Sequence, residues 1–301
     1  MQYILEEAGE DLYAMEVLLQ SGAVMPPDAL TMAVNSYGFD QENSAKVEAV
    51  ISHGAAIVSS AESDGFTALH CSALNGSLKV MESIVRRHPD GRAAIHIPKE
   101  DGEVPLHCAA SGGHLRVTRL LVEEGANINA VDKNGRTPIC RTISNGVQDV
   151  TEFLLNSGVD LLLRGGDWKG ASVLHHTVNR KQHQAYSMLQ YLLSSDLEED
   201  QPQRFPVLHD SVILNAADEN DENTPLHIAA LHGDYNGVFS LIMAGASTRL
   251  LNSREHTPAD EALLALECME QQEQRNEPLM ESLQDIYDLL CQDARREDLY
   301  E

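Results

Sequence analysis

The chain has 301 residues, 43% of them hydrophobic and 5% aromatic, with 47 acidic against 21 basic side chains and a formal net charge of -26. Enough apolar material is present to fill a sizeable core, which excludes wholesale disorder. Charge of this sign repels phosphate and anionic lipid, so neither nucleic acid nor a membrane surface is the expected partner.

The opening MQYILEEAGEDLY meets Glu6 and Glu7 at once, and no apolar run approaches the ~18 residues of a membrane span, so an intracellular chain of the cytoplasm or nucleus is expected. Five cysteines are an odd and sparse set for this length, which fits a reducing compartment better than a disulfide framework. Residues 2–24 retain Gly9, the Leu18-Leu19 pair and the Gly22-Ala23 ending of a unit that recurs downstream, without an entering turn, and are predicted to form an N-terminal cap. The recurring unit opens at Asp28, Thr67, Val104, Thr137, Ser172, Thr224 and Thr257, at intervals of 39, 37, 33, 35, 52 and 33 residues. In the second unit an enlarged turn, NSYGFDQENSAK, follows Asp28-Ala29-Leu30-Thr31-Met32-Ala33.

Within each unit the residue after the opening Thr, often Pro, suits the first position of a helix, where a missing N–H costs nothing, and the Thr is placed to cap it. Small residues follow on the packing face, as at Ala109-Ala110 and Ala229-Ala230, and pairs such as Leu120-Leu121, Leu154-Leu155 and Leu241-Ile242 are predicted to fill a second helical layer. Gly113, Gly146 and Gly233 end the first helix, and Gly125, Gly158 and Gly245 the second. The interval of 52 leaves about 19 surplus residues within 194–217, expected to leave the stack as a loop, either solvated or covering a binding face. At the end of the chain, Leu279, Leu283, Ile286 and Leu290 form a helical stripe predicted to fold back as a cap.

The period near 33, with Val104-Pro105-Leu106-His107 through Gly125-Ala126-Asn127 and again Thr224-Pro225-Leu226-His227, resembles the ankyrin repeat family over about residues 2–265. The resemblance implies an all-α solenoid of helix-turn-helix units with short β-turn fingers, about eight units including atypical caps. The expected organisation is a repeat array over 1–265 with an acidic helical cap or tail over 266–301. It also implies that fingers and inner helices line a concave face that contacts partners.

Thirteen histidines invite a catalytic or metal reading, yet His70, His107, His175 and His227 share the fourth position of the opening motif, where an imidazole is expected to tie adjacent units together. Cys71, Cys108 and Cys140 read as small buried core thiols, since stacked helices stand too far apart for one zinc centre or a disulfide. No zinc motif, nucleophile elbow, phosphate loop, dinucleotide fingerprint or kinase signature occurs, and no cofactor or metal is expected.

Charge divides unevenly: residues 1–130 carry 8 basic and 18 acidic groups, 131–190 carry 7 and 5, and 191–301 carry 6 and 24, for nets of -10, +2 and -18. On the face that the resemblance marks, Lys133, Arg136, Arg141, Lys169 and Arg180 of the middle segment surround Trp168, the only tryptophan. His176 is expected to project toward the inner-helix surface, and Phe66, Leu74, Leu231 and His232 add apolar and polar contacts. The expected function is a scaffold, adaptor or inhibitor that binds another protein, with an acidic segment carrying an apolar anchor as the favoured ligand. The alternative is an enzyme or small-molecule binder whose site in the groove is covered by 194–217.

Overall fold

Each inner helix starts where an extended residue hands the backbone over to helical geometry: Thr67, Val104, Thr137, Ser172 and Thr224 all have ψ within a degree of 166. Proline at 105, 138 and 225 takes the first helical position. The computed structural model describes residues 30, 34, 41–52, 65–163, 170–178, 183–193, 205–270 and 276–297. The N-terminal cap expected over 2–24 lies outside them. Leu30 and Val34, from the second unit, are helical and buried.

Two compact units divide the chain, residues 1–133 with 152–157, and residues 134–151 with 158–301. The first contains α1 (Gln41–Ser52), α2 (Ala68–Leu74), α3 (Leu78–Arg87), α4 (Gly91–Ala94), α5 (Pro105–Ser111) and α6 (Leu115–Glu123). Its inner helices α2 and α5 pack on each other, and α1, α3 and α6 form an outer row. In the second unit come α7 (Pro138–Ser144), α8 (Gln148–Asn156, which crosses the division), α9 (Val173–Thr177), α10 (His183–Leu193), α11 (Ser211–Leu214), α12 (Pro225–Leu231), α13 (Tyr235–Met243), α14 (Pro258–Glu270) and α15 (Glu277–Glu297). Here α7, α9, α12 and α14 form the inner row, and α10, α13 and α15 the outer one. The fold is an all-α ankyrin solenoid, with finger turns that include one isolated bridge, Leu162 to Ser172.

The core follows the repeat. Ala109, Ala110, Ala229 and Ala230 are fully buried, so inner helices approach at alanine distance, while Leu121, Leu154 and Leu241, also fully buried, close the outer layer. Each such leucine contributes about 1.5–3 kcal/mol relative to exposure. Gly233 has φ 67, and a Cβ there would lie 2.5 Å from Leu279 Cδ1. The glycine therefore turns the chain and makes room for α15, whose Ser282 Oγ donates to the Gly233 carbonyl at 3.2 Å. Leu283, Ile286 and Leu290 of the expected stripe are buried, and α15 packs on α12, α13 and α14.

Four histidines stitch the units. At the third helical position, His70, His107, His175 and His227 turn Nδ1 back to accept the N–H of Thr67, Val104, Ser172 and Thr224, at 3.3, 3.2, 3.0 and 3.2 Å. With Nδ1 an acceptor, Nε2 carries the proton and donates forward to the next finger: His70 to Glu103 O at 3.1 Å, His175 to Asn223 O at 3.0 Å and His227 to His256 O at 3.0 Å. The threonine cap expected from sequence is thus mostly replaced by a histidine one. Thr224 Oγ1 accepts in the usual sense from His227 N–H at 3.4 Å, and Thr257 Oγ1 from Asp260 N–H at 3.3 Å. Val104, which has no hydroxyl, opens its helix equally well for this reason.

Among the described residues, two units depart from the stitch. Cys140 takes the histidine position, and its thiol lies 3.2 Å from its own Thr137 Oγ1. In the last unit Asp260 takes it, accepting from the N–H and the hydroxyl of Thr257 at 2.8 and 2.7 Å.

The insertion is not uniformly a loop. Its first part, 194–204, lies outside the described residues, whereas Phe205 is buried with its ring 5.9 Å from Tyr191 of α10, and Leu208 is fully buried in a 3₁₀ turn (Pro206–His209) that packs on α10. Asn215 Oδ1 accepts from Ser247 N–H at 2.8 Å, after the end of α13. Residues 205–215 are therefore anchored to the outer row, because Phe205, Leu208, Ile213 and Leu214 supply an apolar face that a solvated loop would lack.

Candidate functional site

In the first unit the sequence-marked residues fall on the finger and inner-helix face. Phe66, half-buried, stacks obliquely on His70 with ring centres 5.8 Å apart, so it belongs partly to the stitch. Leu74 is 44% exposed at the end of α2, and its carbonyl bonds His114 Nε2 at 2.8 Å, which fixes the turn beneath it. Lys133 is exposed at a finger, and its N–H donates to Asp101 O at 2.9 Å. That finger pairing is tight: Gly102 has φ 85, and a Cβ on it would stand 2.7 Å from Lys133 N.

The second unit holds the remaining candidates. Leu231 is 37% exposed at the end of α12, and the next residue, His232, is half-buried with Nδ1 3.4 Å from Val178 O. Arg136 and Arg141 are half-buried at the finger and on α7. His176 departs from the expected projecting side chain, since it is 7% exposed and sits on the buried side of α9. Burial above all, then the neighbouring His175, Arg136 and Arg141, push its pKa down to about 3, so the ring is neutral at physiological pH. Burial lowers the His175 and His227 values too, in keeping with neutral stitching rings. The structure therefore brings Arg136, Arg141 and His176 into one electrostatic neighbourhood. Trp168, Lys169 and Arg180 lie outside the described residues.

Cys71, Cys108 and Cys140 are buried, and burial raises the Cys108 thiol to about 11, which leaves it an inert core group. Among the described residues no group of three or more His, Cys, Asp or Glu is placed to hold a metal ion, and no helix is long and apolar enough to cross a membrane.

A charged surface escaped the sequence reading. On the outer row of the first unit, Lys79, Arg86, Arg87, Arg92, Arg116 and Arg119 are exposed and interleaved with Glu48, Glu82, Glu123 and Glu124. Arg86 and Arg92 both pair with Glu124, at 2.9 and 3.0 Å, and Arg87 with Glu48. Two shallow clefts of about 340 and 210 Å³ lie here, one lined by Glu48, Lys79 and Arg87, the other by Arg116, Arg119 and Glu123. The Arg86-Arg87 doublet was the available signal, hidden by a segment net of -10.

Residues 84–165 match the family described as ankyrin repeats, in three copies, and residues 221–253 match one further ankyrin repeat. The chain is 30% identical over 147 residues to the transcription factor MBP1 of Kluyveromyces lactis, a stretch that is 46% of this chain and 18% of that protein. Among solved structures, the ankyrin repeat domain of Bcl-3, a member of the IκB family, aligns over 94% of this chain and 96% of its own, with 19% identity and a TM-score of 0.51. A chain in the complex of the predatory endopeptidase Bd0816 of Bdellovibrio bacteriovorus with its immunity protein Bd3460 aligns over 72% of this chain and 96% of its own, with 21% identity and a TM-score of 0.49.

Proposed function

We propose that this chain, which is an ankyrin repeat protein, binds another protein through the finger and inner-helix face of its second unit, as a scaffold, adaptor or inhibitor. The ligand is an acidic segment with an apolar anchor. The observation that carries this reading is the pair of guanidiniums, Arg136 and Arg141, close enough to the buried ring of His176 to help hold it neutral. They supply fixed positive charge in a molecule whose net is -26. A carboxylate flanked by an apolar group satisfies such a surface, while the acidic remainder turns away undirected polyanions. The sequence pattern assigns Trp168, with Lys169 and Arg180, the roles of anchor and rim, and Leu231 and His232 extend the site. Five free cysteines fit a reducing compartment, the cytoplasm or nucleus. The segment 266–301 serves as the closing cap, a role supported by the burial of Leu283, Ile286 and Leu290.

The test is affinity capture followed by calorimetric titration of the captured protein across a salt series. Trp168→Ala is expected to weaken binding by ~2 kcal/mol or more, and Arg136→Glu to slow association and flatten its salt dependence, with both variants folded. Unchanged affinity in both would move the site off this face.

A further inference from the structure

The outer row of the second unit carries an apolar surface that its own core does not cover. On α13, Tyr235, Phe239 and Met243 recur every fourth residue, and they are 38, 48 and 72% exposed, while Val238 and Leu241 on the opposite side are fully buried. At 1.5 Å per residue the three form a straight ridge ~12 Å long. The packed part of the insertion lengthens it: the His209 ring faces the Ala244 backbone just past Met243, and the neighbouring Val207 and Val212 are 49 and 60% exposed. Monomer surfaces scatter single apolar side chains, whereas a contiguous row on one helix marks an interaction site.

The flank has a sign. On α15, which packs against α13, Glu281, Asp285 and Asp288 are exposed along one side, and none has a basic partner within 4 Å among the described residues. Neither α13 nor residues 277–293 contain a Lys or Arg.

We propose that the α13 ridge docks an amphipathic helix of another protein, with an apolar i, i+4 row seated on Tyr235, Phe239 and Met243 and basic residues along the edge that meets α15. Four-residue rows on both helices interdigitate as ridges into grooves, which favours a helical occupant. The acidic edge fixes its orientation and rejects acidic helices. A second copy of this chain is a poorer occupant: the exposed basic helices of its first unit, α3 and α6, present no exposed large apolar residue to fill the ridge, those of that unit among the described residues being Leu74 and Val131.

The experiment titrates the full chain with two synthetic helical peptides that share one leucine row, one with lysines along its edge and the other with glutamates. The lysine peptide is expected to bind about tenfold or more tightly than the glutamate peptide. Phe239→Ser with Met243→Ser should weaken the lysine peptide by about tenfold or more, and Glu281→Lys with Asp285→Lys should reverse the preference. Arg136→Glu should leave binding of the lysine peptide unchanged and remove any glutamate-peptide binding that the face proposed above contributes, which separates the two surfaces. Equal affinity for the two peptides in the Arg136→Glu background, no binding of either, or insensitivity to the serine variants overturns the proposal. So does self-association in sedimentation that Phe239→Ser abolishes, because the occupant would then be a second copy.

Discussion

The outer rows of the two units answer the same packing problem with opposite surfaces. In the first, α3 and α6 turn lysine, arginine and glutamate outward and lace several of them into ion pairs, such as Arg86 and Arg92 on Glu124. In the second, α13 turns Tyr235, Phe239 and Met243 outward, and α15 beside it shows carboxylates. The buried positions match, Leu121 in one and Leu241 in the other. Repeat packing therefore dictates the inward stripe of each outer helix and leaves the outward stripe open to vary with function.

The largest effect should be the same in both units if their cores are equivalent. Leu121→Ala and Leu241→Ala are each expected to cost ~2–5 kcal/mol in urea denaturation, whereas Phe239→Ser should change the midpoint little. A large loss in Phe239→Ser would place that ring in the core and erase the contrast. Ala110→Leu, which overfills the inner row of the first unit, should cost ~1–3 kcal/mol.

Acid should distinguish the second unit next. His176 has a folded pKa near 3 against an unfolded value near 6.5, so below pH 6.5 the unfolded state binds the additional proton. Stability from this residue is complete above pH 6.5 and falls by about 1.4 kcal/mol per pH unit as pH drops toward 3. At pH 5 the loss is about 2 kcal/mol, with His175 and His227 adding in the same direction. His176→Asn should flatten the slope of stability against pH between 6.5 and 4, and an unchanged slope would mean that the ring is solvated.

The fingers give the smallest effect. Glu222 and Glu255 adopt φ 55 and 61, where Gly102 adopts 85. Glu222→Gly should raise the unfolding free energy by ~1 kcal/mol by relieving left-handed strain, and Gly102→Ala should lower it by at least as much, because its Cβ meets Lys133 N.

The stack was legible in the sequence because its determinants are local: an extended residue before Pro, alanines on one face, glycine at each turn. The histidine stitch was legible in outline, and its use of Nδ1 as the cap was not, since that depends on the ring's orientation. His176 misled because it stands beside a stitching histidine, and only its burial in the packed structure shows that its side faces inward. The α13 ridge was invisible for another reason. Tyr235–Met243 reads as YNGVFSLIM, with apolar residues around the whole helix, and periodicity cannot say which of them the outer row leaves uncovered. Likewise the insertion's length predicted a loop, but its four apolar anchors are spaced by no regular pattern.

The stitch also has a direction in time. A chain made from its N-terminus presents His70 33 residues before the Glu103 carbonyl that it needs, and His227 29 residues before that of His256. His175 waits 48 residues, because the insertion comes between it and Asn223. At ~5–20 residues per second these gaps last from about 1.5 to 10 seconds, during which each newest unit has a proton to give and no finger carbonyl to receive it. Asp260 ends the queue, since it bonds only to Thr257, which has already been made.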